Sequence, residues 1–171
     1  LPISLRGSPV LDREATAQLT RRLFPKDKLE PIGDGDLQFT YPASDEICAG
    51  CFGGVSIVAA REFGIDAPSM LDARFLREGG EGRVYLHAMH SVVDWFAFAV
   101  WEDGQLMRSL SLSPDSGVLE DIGARLPFEA TYWSGERPAV EDGEEYPFPF
   151  HPLELGEAAL LEFFGYQLEG V

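Results

Sequence analysis

The segment from Val84 to Pro114 constrains the fold more than any other part of the chain. Its first eighteen residues, V-Y-L-H-A-M-H-S-V-V-D-W-F-A-F-A-V-W, are almost uniformly apolar and aromatic. Drawn out as one strand they would span about 60 Å at ~3.3 Å per residue. A chain of 171 residues collapses to a radius of gyration of roughly 15 Å, so the segment must turn back on itself. Asp103-Gly104 supplies one reversal, because both residues tolerate the positive φ of a two-residue hairpin turn. The other is expected at Ser91-Val92-Val93, the only polar interruption, although β-branched valines resist positive φ.

With these turns His90 stands opposite Asp94, Ala88 opposite Phe96, Trp101 opposite Leu106 and Ala99 opposite Arg108. Side chains alternate across a strand, so two faces follow. One carries His90 and Asp94, a carboxylate positioned to orient an imidazole as in a general-base pair. The plainer reading of that pair is a hydrogen bond that closes a hairpin. The other face places Ala97 and Ala99 as a low floor ringed by Tyr85, Trp95 and Trp101, with His87 and Arg108 alongside. An aromatic recess with a few convergent polar groups suits a small ligand, and an arginine suits an anionic one. The competing reading is that the alanines let a helix pack closely. Neither face is polar enough to be left to water, so both need cover.

Charge narrows the function classes. The chain holds 29 acidic against 13 basic residues, a net charge of −16. That balance argues against binding a phosphate backbone, where clustered Lys and Arg carry the affinity. It fits a solvated acidic surface, a basic protein partner or mimicry of nucleic acid. No apolar run is long enough for a membrane span, and nothing resembles a signal peptide. Cys48 and Cys51 form a lone C-A-G-C without two further zinc ligands, which reads as reduced thiols in a cytoplasmic protein. No motif for a cofactor occurs, and Gly33-Asp34-Gly35-Asp36 lacks the spacing of a calcium loop.

The rest of the chain reads as short elements. Leucines and alanines at every fourth position predict a helix over Leu11–Phe24, capped by Asp12 and ended by Pro25. Short strands are expected at Ile3–Leu5 and Leu29–Ile32, and a hairpin joins Glu46–Phe52 to Val55–Glu62 about Gly53-Gly54. A short helix begins near Ser69–Asp72 and stops at Gly79-Gly80. Tyr146–Pro152, with three prolines, reads as an extended strap. A last helix over Glu157–Phe164 ends at Gly165. The expected fold is a single α+β domain over 1–171: a mainly antiparallel sheet of about six strands with two or three helices.

The segments H-A-M-H-S-V-V-D-W-F-A-F-A-V-W-E-D-G (87–104), S-L-S-L-S-P-D-S-G (109–117) and P-F-H-P-L-E-L-G-E (149–157) resemble an uncharacterised family of high-GC Gram-positive (actinobacterial) bacteria. That family carries a domain-of-unknown-function label, and the resemblance implies no activity. The residues themselves favour a non-catalytic binding or protein-interaction module acting through the aromatic face and the acidic surface. Its expected partner is a basic protein, as for an acidic immunity protein or antitoxin, or a small anionic ligand. Self-association of the same face into a homodimer is a further form of it. The competing class is a hydrolase using His90 with Asp94, or a metal held by His87 and His90. No G-x-S-x-G or H-E-x-x-H motif supports it.

Overall fold

A computed structural model describes Leu5, residues 9–141 and residues 144–168. It is an α+β fold with six antiparallel strands in two sheets, and the chain divides into two compact units, Leu1–Glu62 and Phe63–Val171.

In the first unit, helix α1 (Arg13–Leu23) begins where Asp12 Oδ1 accepts a hydrogen bond from Ala15 N, 2.9 Å. Strands β1 (Cys48–Phe52) and β2 (Val55–Ala59) form the expected hairpin, with Gly54 at φ +86°. The helix is tied to β1 at Cys51, whose backbone N donates to Thr16 Oγ1 and whose carbonyl accepts from Asp12 N. Cys48 and Cys51 are free thiols, Cys51 Sγ accepting from Ser56 Oγ at 3.3 Å, and burial pushes the Cys48 thiol up, with Asp36 adding to the effect. The strand expected at Leu29–Ile32 does not form; Pro31 lies inside it and Ile32 is exposed. The expected strand at Ile3–Leu5 lies, but for Leu5, outside the described residues.

The second unit is built on a four-stranded meander. Helix α2 (Ala73–Gly79) is capped by Asp72. There follow β3 (Arg83–His90), β4 (Trp95–Glu102), β5 (Gln105–Ser113) and β6 (Gly117–Ile122), in the order β3-β4-β5-β6. Asp103 (φ +51°) and Gly104 (φ +75°) make the expected two-residue turn. A 3-10 turn at Pro127–Glu129 leads into the short helix α3 (Ala130–Trp133). The last helix, α4 (Pro152–Phe164), starts five residues before the expected Glu157, with Gly165 closing it at φ +81°. Pro152 occupies its first turn, where a missing N–H is no loss, and His151 caps it. The third proline of the strap is thus a helix start.

The sheet departs from the expected registers in two places. The β3–β4 turn holds four residues, Ser91–Asp94, not three, and Asp94 adopts φ +47° to close it. His90 therefore pairs with Trp95, and Ala88 with Ala97. Between β4 and β5, Trp101 pairs with Leu106 as expected. An irregularity then follows, and Val100, not Ala99, faces Arg108. One residue of slip moves a strand's side chains to the other face. Tyr85, His87 and Met89 consequently share a face with Phe96, Phe98, Val100, Arg108, Leu110 and Leu112. Helix α4 covers this face: Phe163 stacks on Tyr85 and packs against Phe98, and Phe96, Phe98, Leu155 and Ala159 are fully buried. Trp95, Ala97, Ala99 and Trp101 lie on the opposite face. There the 3-10 turn Pro68–Met70 packs against β4 and β5, Pro68 is buried, and both alanines are inaccessible.

Candidate functional site

The expected ligand residues do not converge. Trp95 and Trp101 stand with the alanines, while Tyr85, His87 and Arg108 point to the α4 side of the sheet. The floor is core, and each polar group has an internal task. Trp95 Nε1 donates to Ser111 Oγ, 3.1 Å. His87 Nε2 donates to the Gly156 carbonyl of α4, 2.8 Å. Burial pushes the His87 pKa down to about 4, against a smaller upward pull from that hydrogen bond.

Arg108 is fully buried, a rare placement for a guanidinium. Its Nε and Nη2 donate to both oxygens of Glu129, at 2.9 and 2.8 Å, and Nη1 reaches Asp121 and the Ile122 carbonyl. Glu129, also fully buried, further accepts from Leu126 N and Trp133 Nε1. Burial works to lower the Arg108 pKa, but Glu129 and Asp121 outweigh it and the net direction is up. The arginine is a buried cation with two carboxylates, already engaged in the bidentate geometry that an anionic ligand would need.

The expected His90–Asp94 pair is replaced by another. His90 is exposed at the end of β3, and no hydrogen bond or ion pair joins it to Asp94 among the described residues. Asp94 instead faces His151, with Nε2 3.5 Å from Oδ2. Tyr146 stacks on the His151 ring, and its buried hydroxyl has no hydrogen-bond partner among the described residues. Burial, then Asp94, raises the Tyr146 pKa. A histidine beside a carboxylate resembles half of a catalytic triad, yet the second nitrogen is occupied. His151 Nδ1 accepts from Leu153 N, 3.3 Å, as the cap of α4. No lone pair is left to take a proton from a nucleophile. His87 and His90 are also apart, one on the α4 face and one at an exposed strand end. No group of three or more His, Cys, Asp and Glu comes together among the described residues in an arrangement suited to a metal.

Sequence reasoning missed three of these residues. Glu129 and Asp121 become partners of Arg108 only through the fold. His151 becomes the partner of Asp94 because the strap brings it to the β3–β4 turn. Its signal was H-P ahead of an apolar helical run, a cap followed by proline. The remaining polar cluster was equally unforeseen: Glu120 on β6 accepts hydrogen bonds from Ser69 N (2.9 Å), Ser69 Oγ (2.6 Å) and Ser109 Oγ. Burial works to raise the Glu120 pKa, but these bonds outweigh it and hold it low.

The chain belongs to a family of unknown function, DUF6928, whose family model matches residues 2–171. No curated protein and no solved structure matches the chain.

Proposed function

We propose that this member of the DUF6928 family is a non-catalytic interaction module whose partner is a basic protein. One observation carries the reading: His87, His151 and Arg108, three of the side chains that chemistry would recruit, are consumed internally. His87 serves the α4 backbone, His151 spends both ring nitrogens on the cap and on Asp94, and Arg108 is matched by Glu129 and Asp121. The net charge of −16 supplies the other half of the argument. An acidic surface attracts and orients cationic proteins and repels nucleic acid. Trp101 is core, Tyr85 is stacked under Phe163 and Trp95 bonds Ser111, which favours a contact surface outside these aromatics. Cytoplasmic location is part of the same proposal, as the free thiols of Cys48 and Cys51 suit a reducing compartment.

The test is affinity capture at low salt, followed by reconstitution with the purified partner and calorimetry at two salt concentrations. A stable cationic partner whose affinity falls with salt supports the module. Esterase or phosphatase turnover by the purified protein, lost in both Asp94→Asn and His90→Ala, would replace it with the hydrolase.

A further inference from the structure

We propose that the open edge of β6 is a docking strand for a cationic, extended segment of a partner protein, which joins the sheet as a fifth strand; this rests on the reading of the protein as an interaction module. Strand β6 ends the order β3-β4-β5-β6, so one row of its backbone N–H and C=O groups has no ladder partner among the described residues. It is also apolar where an edge is usually polar. Val118, Leu119 and Ile122 are 48%, 43% and 42% exposed.

Two carboxylates lie among these side chains: Glu120 accepts from neutral donors alone, and Asp121 shares its one cation with Glu129. Glu120 is held ionised by two serines and one backbone N–H, none of them a cation. Asp121 bonds Arg108, but Glu129 already matches that guanidinium with two hydrogen bonds. One positive charge serves two carboxylates, so the group is one negative charge in excess, and Asp121, with its side chain 39% exposed against none for Glu129, is the member that meets solvent. Successive strand residues point to opposite faces, so the edge is negative on both.

This pattern selects the occupant. A second copy would set the same carboxylates against each other and bring a further −16. A strand that carries both Lys or Arg and apolar residues on each of its faces does not meet that repulsion. Its cations sit beside Glu120 and Asp121, its apolar side chains cover Val118, Leu119 and Ile122, and its backbone completes the ladder.

The probe is a fluorescein-labelled peptide of repeating Val-Val-Lys-Lys, which sets valine and lysine on both faces of a strand. Its controls are a valine–glutamate peptide and a scrambled valine–lysine peptide. Each is titrated into the full chain by anisotropy at low and high salt, while backbone amide exchange is followed across 117–122. The Val-Val-Lys-Lys peptide should bind, weaken with salt, and protect the β6 amides. Ile122→Asp should weaken it by about tenfold although it adds a negative charge. Circular dichroism checks the variant's fold, and Val118→Asp takes its place if it does not fold. Equal binding of the scrambled peptide, tighter binding by Ile122→Asp, or protection only outside β6 overturns the edge as the site. The interaction module survives those outcomes if the purified natural partner still forms its salt-sensitive complex. Failure of both the peptide and any natural partner removes the two readings together. Self-association that Ile122→Asp abolishes, seen by sedimentation, overturns the cationic occupant in favour of a second copy.

Discussion

Arg108 and His87 show how single residues couple the sheet to the elements that cover it. Breaking a buried ion pair by removing one partner leaves an uncompensated charge, at a cost of about 3–5 kcal/mol. Glu129→Gln should therefore lower stability by about that amount, read from denaturant melts. Arg108→Lys should also be poorly tolerated, because an ammonium cannot make the two parallel bonds to Glu129. His87 predicts a pH dependence of fixed sign. Its folded value of about 4 lies below the ordinary 6.5, so its contribution is fully present above about pH 6.5. As pH falls from about 6.5 to about 4, the unfolded chain takes up a proton that the folded chain refuses. Stability should fall across that window by up to about 3 kcal/mol. His87→Gln, which retains a donor for Gly156, should flatten that part of the profile in melts taken at each pH.

At the scale of elements, two close approaches set the sheet's cover. Gly156 lets α4 descend onto the sheet: a Cβ there would collide with Met89 Sδ and press on Met89 Cγ and Phe96. Glycine to alanine normally favours a helix by about 1 kcal/mol. Gly156→Ala should nevertheless destabilise by about 1–3 kcal/mol through overpacking, and Met89→Ala in the same chain should recover part of that loss. On the opposite face Ala99 is inaccessible beneath neighbouring structure, so Ala99→Leu should cost about 1–3 kcal/mol in a chemical melt. An unchanged midpoint would mean that the floor is an open recess. The elements themselves were largely legible. Asp12, Asp103-Gly104, the Gly53-Gly54 hairpin and Gly165 each carry a local chemical reason for their place. The strand expected at Leu29–Ile32 does not form because Pro31 withholds a ladder donor, and whether a neighbouring strand exists to pair with the segment is not a local property.

For the molecule as a whole the excess of acid is the governing property. With 29 acids against 13 bases, self-repulsion opposes compaction. Raising ionic strength from about 0.01 M to about 0.15 M shortens the screening length from about 30 Å to about 8 Å. The melting temperature should rise over that range, followed by scanning calorimetry in sodium chloride. A fall would show that exposed pairs such as Arg13–Asp34 and Arg83–Glu102 outweigh the repulsion.

The amino-acid sequence alone determined the α+β class, the antiparallel meander and the need to cover both of its faces. Those follow from the length of an apolar run and the chemistry of turn residues, which are local. Tertiary structure decided the register. One further residue in the Ser91–Asp94 turn and one irregularity before Arg108 separated Trp95 and Trp101 from Tyr85, His87 and Arg108. Nothing local distinguishes a three-residue turn from a four-residue one at S-V-V-D. The choice is made by which side chains α4 and the Pro68–Met70 turn can bury. The same packing set His151 beside Asp94, Glu129 against Arg108 and Ser69 on Glu120. Polar partners distant in sequence are chosen by the buried geometry that must satisfy them.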